Sequence, residues 1–207
     1  MKLLLATRNR NKIEEIRRIF AFPGLEILSP FDLPSLPEEV EENADTFEGN
    51  ALLKARSLAD AVQDGGASAV WVMADDSGLE VAALNGAPGV RSARYAGEPS
   101  NTPANNAKLL RELEGVEDRR ARFVCVIAFC APDGREWTVR GECPGRILHE
   151  ARGEAGFGYD PLFVPDGYDE TFAELGASVK NKISHRARAL EKATALLREA
   201  FPDLRLP

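Results

Sequence analysis

Residues 70–78 read V-W-V-M-A-D-D-S-G, an apolar run that stops at paired carboxylates, a hydroxyl and a glycine. A run of this length bounded by glycine predicts a buried strand. A carboxylate taken out of water without a partner is costly, so charge at the end of such a strand needs company. In open α/β sheets, ligands gather at the carboxyl ends of strands. Asp75 and Asp76 therefore stand where a metal-assisted active site is expected. The same residues would also serve as caps for the segment 79–84, a common use of Asp and Ser.

The flanking sequence predicts a mixed α/β chain. Residues 3–6 read as a strand, followed by a polar turn and a helix over 11–20, where Ile13, Ile16, Ile19 and Phe20 recur at helical spacing. A proline-rich connection covers 30–37. A second helix is predicted over 45–62, with Asp45 and Glu48 at capping-box spacing and Gly65-Gly66 at its end. Gly86-Ala87-Pro88-Gly89 predicts a tight loop, and Thr102-Pro103 predicts a cap and first-turn proline. Segments 123–130 and 136–141 flank Pro132-Asp133-Gly134, a hairpin signal that argues against a purely parallel sheet. A last helix is predicted over 184–200, with Ala187, Leu190, Ala193, Thr194 and Leu197 facing inward.

At 207 residues the chain suits one domain over 1–207 with a real core. No apolar run approaches the length of a membrane span, and the apolar start at 1–6 is too short for a secretory signal. Three cysteines, Cys125, Cys130 and Cys143, form no paired motif and favour reduced thiols in a cytoplasmic setting. The only two histidines, His149 and His185, do not make a zinc-protease helix. A formal net charge of −7 disfavours nucleic acid as a partner, while leaving room for a small anion in a locally basic pocket.

Four constellations could carry chemistry. Thr7-Arg8-Asn9-Arg10-Asn11-Lys12 sets cations, amides and a hydroxyl at a helix start, where main-chain N–H groups and the dipole favour anions. A solvated basic turn fits those residues too, and the pattern is not a Walker loop. The acidic run Glu38-Glu39-Val40-Glu41-Glu42 reads as solvated surface or as the source of a carboxylate meeting the aspartates. Two carboxylates with water and phosphate oxygens suit Mg²⁺. Gly156-Phe157-Gly158-Tyr159-Asp160-Pro161 offers aromatic faces between glycines, either for stacking on a base or as a turn packed on the core. Lys180-Asn181-Lys182-Ile183-Ser184-His185-Arg186 precedes the final helix, with Ser184 as N-cap. His185 and Arg186 there run against the helix dipole, which suggests a ligand or plain surface.

In order and over essentially the whole chain, these blocks resemble the inosine triphosphate pyrophosphatase family, the XTP/dITP diphosphatases. The resemblance rests on L-A-T-R-N-R-N-K, E-E-N-A-D-T-F-E-G-N-A-L-L-K-A, A-D-D-S-G-L-E-V-A-A-L-N-G-A-P-G-V-R-S-A-R-Y, G-F-G-Y-D-P-L-F and S-H-R-A-R-A-L. It implies a mixed twisted sheet flanked by helices, with two lobes around a central cleft. It also implies Mg²⁺-dependent hydrolysis of ITP, dITP and XTP to the monophosphate and pyrophosphate. Asp76 then looks like the catalytic base and a metal ligand, and Glu42 like the second metal contact. Strand neighbours face opposite sides, which leaves Asp75 in support. Thr7, Asn9 and Lys12, with Lys54, Ser77 and Lys180, resemble a phosphate cradle, and Arg8, Arg10 and Asn11 belong to the same block. Phe157 resembles the stacking aromatic, beside Gly158 and Tyr159, while Asp160, His185 and Arg186 resemble the base-reading groups. A homodimer, with its interface near 123–141, is implied in the same way. Rival readings are a Maf-like pyrophosphatase for modified pyrimidines and a regulator that binds nucleotide without cutting it.

Overall fold

The computed structural model describes residues 1–33, 36, 40–66 and 69–200. Its strands are β1 (Lys2–Leu5), β2 (Glu26–Leu28), β3 (Val70–Val81), β4 (Arg120–Cys130), β5 (Glu136–Ile147) and β6 (Phe163–Pro165). They form one six-stranded sheet in the order β2-β1-β3-β4-β5-β6. β1 is parallel to β2 and β3, and β6 is antiparallel to β5. The helices are α1 (Arg10–Ile19), α2 (Phe47–Asp64), α3 (Thr102–Glu112), α4 (Phe172–Ile183) and α5 (His185–Ala200). Mixed α/β, as read from the sequence, is the class observed. Among the described residues, no helix is long and apolar enough to cross a membrane.

The chain divides into two compact units. Of the described residues, the first takes those within 1–76, 125–141 and 189–200, and the second takes 77–124 and 142–188. In the first, Ile13, Ile16 and Phe20 pack with Leu3, Leu5, Met73, Ile127, Phe129 and Leu190. In the second, Phe123, Phe163 and Phe172 anchor the core, with Phe123 and Phe163 edge to face at 4.7 Å. β4 is buried without a break from Phe123 to its end, and the burial runs on to Ala131. Continuous rather than alternating burial is the mark of a strand covered on both faces.

Several expectations are corrected. β3 does not stop at Asp76 but continues to Val81, so Asp75 and Asp76 lie mid-strand. What stops there is its parallel partner. β1 pairs with Val70 to Met73, and Ala6 N–H then closes the ladder on the Met73 carbonyl at 2.8 Å. The carboxyl end that matters is therefore that of β1, and the chain leaving it is Thr7–Lys12.

The cap of α2 is Thr46, whose Oγ1 accepts from Gly49 N–H, and not Asp45. Glu48 pairs instead with Arg140 at 3.1 Å. α3 is capped by Asn101 and not Thr102. α4 is absent from the expected elements. It starts with a Thr171–Glu174 capping box and is interrupted at Gly176, where φ is +73°. Lys180 and Lys182, expected just ahead of the final helix, sit in the last turn of α4. Ser184 closes α4, and its Oγ accepts from Ala187 N–H in the first turn of α5, as the sequence suggested. Of the proline-rich connection and the acidic run, Pro34, Ser35, Pro37, Glu38 and Glu39 lie outside the described residues.

Candidate active site

In the first unit the site is built on the end of β1, the start of α1, the inner face of α2 and mid-β3. Thr7 is buried, and its Oγ1 accepts from Asn9 N–H at 3.1 Å. Asn9 is the N-cap of α1, and its Oδ1 accepts from Asn11 and Lys12 N–H at 3.0 and 3.3 Å. Those two main-chain donors are therefore already used, so the helix start offers less to an anion than the sequence suggested. Arg10, exposed, stacks its guanidinium over Phe31 at 4.2 Å. Asn11 is also exposed, and Arg8 is half-buried.

The aspartates meet different lysines, as strand alternation predicts. Asp75 Oδ1 stands 2.8 Å from Lys12 Nζ, and Cys125 Sγ lies 3.6 Å from the other Asp75 oxygen. Asp76 Oδ1 stands 3.0 Å from Lys54 Nζ, which is also 2.8 Å from Glu42 Oε1. Carboxylates from distant stretches thus converge on one ammonium. Asn50, fully buried, is the residue the sequence reading missed. Its Nδ2 reaches Asp76 Oδ2 at 3.4 Å, and its Oδ1 takes Ala44 N–H at 2.9 Å, tying the segment that carries Glu42 to Asp76. Asn50 is one turn before Lys54, on the α2 stripe of Phe47, Ala51 and Leu58. A carboxamide on an otherwise apolar stripe was the available signal.

In the second unit, Asp160 organises the glycine-rich turn. Its Oδ2 accepts Phe157 N–H at 2.8 Å and the Lys180 ammonium at 2.6 Å. Lys180 Nζ also lies 4.5 Å from the Phe157 ring centroid. Tyr159 is a core residue, and its hydroxyl donates to the Ser92 carbonyl. The Gly158 carbonyl accepts from Asn106. His185 stacks on Phe123 at 4.7 Å and 14°. Arg186 is 1% exposed, and its guanidinium donates to Ser77 Oγ at 3.2 Å. The His185–Arg186 pair is therefore buried, not surface.

A sequence model of the Ham1 family matches residues 3–196. The chain belongs to the Ham1 family. A relative named dITP/XTP pyrophosphatase from Desulforamulus reducens is 50% identical over 97% of this chain and 98% of its own. The solved Ham1 protein of Staphylococcus aureus covers 97% of this chain and 100% of its own, at 42% identity and a TM-score of 0.84. A Mycobacterium abscessus structure titled nucleoside-triphosphatase / dITP/XTP pyrophosphatase covers 93% of this chain and 98% of its own, at 44% identity and a TM-score of 0.73.

The electrostatics of this Ham1 chain suit a base held beside a cation. Burial lifts the Asp76 carboxyl above its ordinary value, and Glu42 adds to the lift, while Lys54 and Lys12 pull the other way. Burial alone would lower the Lys54 ammonium, but Asp76, Glu42 and Asp75 together raise it, so it stays charged. Among the described residues no cluster of three or more His, Cys, Asp or Glu side chains forms. Glu42 and Asp76 are the carboxylates that could hold a hard cation, and the Lys54 ammonium already bridges them. Two carboxylates, completed by water and phosphate oxygens, suit Mg²⁺ rather than zinc.

Proposed function

We propose that this chain hydrolyses noncanonical purine nucleoside triphosphates, ITP, dITP and XTP, to the monophosphate and pyrophosphate with Mg²⁺. The observation that carries the reading is the convergence of Glu42 and Asp76 on Lys54 Nζ, within 3.0 Å. Glu42 and Asp76 would hold the metal, which when bound offsets phosphate charge and makes a nearby water more acidic. Asp76, with its raised carboxyl pKa, orients a water and takes its proton as the water oxygen bonds to the α-phosphorus. The bond from the α-phosphorus to the bridging oxygen breaks, and Lys12 and Lys54 offset the charge that develops on the leaving pyrophosphate.

In the second unit Phe157 offers its ring to the purine, and His185 and Arg186 supply donors to a 6-keto oxygen. An adenine amino group would meet donors with another donor, and sites of this kind discriminate by roughly 10⁴. Asp160 holds Phe157 N–H and the Lys180 ammonium through Oδ2 and joins His185 and Arg186 in reading the base edge. Tyr159 supports the turn from the core.

The reading extends to a cytoplasmic homodimer. With β4 buried from Phe123 to its end, a dimer contact near 123–141 would use the exposed turn at 133–136. Pyrophosphate release from a panel of nucleoside triphosphates, with Mg²⁺ and with EDTA, tests the proposal. Release from ITP, dITP and XTP but not ATP, lost with EDTA, is the expected result. Binding of ITP without release would favour a regulator, and activity confined to modified pyrimidine nucleotides a Maf-like enzyme.

A further inference from the structure

We propose that Asp75 is a positioning residue whose buried carboxylate fixes the Lys12 ammonium for a polyphosphate, without itself touching substrate or metal. The inference rests on the reading of Thr7–Lys12 as a phosphate cradle. Lys12 is the third residue of α1, where a cation runs against the helix dipole. A flexible lysine at that point would ordinarily swing into water. Here its ammonium is 2.8 Å from Asp75 Oδ1, with the Asp75 side chain 0% and the Lys12 side chain 15% exposed. The thiol of Cys125, itself fully buried, lies 3.6 Å from the second Asp75 oxygen and fixes the carboxylate from the far side.

Asp76, the next residue, is engaged with Lys54 and Asn50. Adjacent aspartates on opposite faces of β3 thus assign one lysine each. A buried anion beside a polyanion site would by Coulomb repulsion alone weaken binding. Its presence there is explained if the orientation it imposes on Lys12 is worth more than the repulsion it adds. This gives the test a sign.

Inorganic tripolyphosphate is the probe, since it has no base, and its affinity is measured by calorimetry without metal so that its anhydride bonds stay intact. Asp75→Asn is expected to bind it about tenfold more weakly, because the Lys12 ammonium loses the buried ion pair that orients it. Unchanged or tighter binding by Asp75→Asn overturns the proposal. Should that variant not fold, Lys12→Met is compared with Lys12→Met/Asp75→Asn, which leaves no unpaired buried charge. Equal or tighter binding by the double variant shows that Asp75 helps only through Lys12, and a further loss overturns the idea. A merely structural ion pair would move the melting temperature and leave the affinity of the folded protein alone. If the wild-type protein binds no tripolyphosphate, the cradle reading fails and the inference with it. If it binds and Asp75→Asn does not differ, only the inference fails.

Discussion

A Cβ atom at Gly156 would lie 2.2 Å from Oδ2 of Asp160, the oxygen that holds both Phe157 N–H and the Lys180 ammonium. Gly156 also has φ +79°, a conformation that side chains resist. Gly156→Ala should therefore cost about 1–3 kcal/mol from backbone strain and displace the Phe157 turn as well. Thermal denaturation should show the loss of stability. KM for dITP should rise while inhibition by inorganic tripolyphosphate, which does not need a base platform, stays near the wild-type value. An unchanged KM would remove the turn from base binding.

Asp76→Asn should abolish turnover without unfolding the chain. Removing a general base costs about 10²–10⁴ in rate, and loss of a metal contact adds to it. The stability effect has a definite sign. A carboxyl whose folded pKa is raised contributes most below its ordinary value of 3.8, and that contribution is lost as pH rises through the folded value. At neutral pH the ionised Asp76 therefore works against the metal-free fold, and Lys54 keeps Glu42 as a partner when it is gone. The melting temperature of metal-free Asp76→Asn at pH 7 should match or exceed that of wild type. Near-normal pyrophosphate release by this variant would exclude Asp76 from the mechanism.

The alternation that separates Asp75 from Asp76 was legible because a strand period is fixed at two, and each side chain does meet its own lysine. The position of both in mid-strand was not legible. β3 continues through Ser77 and Gly78, past its last pairing with β1 at Met73, a continuation that local polarity masks. α4 escaped notice because Gly176 interrupts it and its apolar stripe is short. His185 and Arg186 read from the sequence as a ligand contact or plain surface, and the Phe123 ring and Ser77 hydroxyl pack them inside. Asn50 carries a signal of its own, since few polar side chains sit on an apolar helical stripe without a task.

The burial of Arg186 changes what its replacement tests. Truncation to alanine would open a void and confound binding with folding. Arg186→Lys keeps the charge and most of the volume while losing the planar fork. Its expected effect is a narrower ITP-to-ATP preference in kcat/KM, with a small change in melting temperature. If the preference is untouched, the first turn of α5 does not read the purine.

The three thiols give a prediction independent of any ligand. Burial pushes Cys130 and Cys143 up to about 11, with Glu136 adding to the effect at Cys130, and Cys125 is fully buried. Thiolates, not thiols, are the reactive species, so the native protein at pH 8 should react slowly with a disulfide reagent and release three equivalents once denatured. The linkage runs in one direction. In the unfolded chain these thiols ionise near 9.0, below their folded values, so their contribution to stability is full below that pH and is lost as pH climbs toward 11. Denaturant midpoints measured between pH 8 and 11 should fall, and Cys130→Ala/Cys143→Ala should flatten that decline. A decline as steep in the double variant as in wild type would assign alkaline instability to other groups.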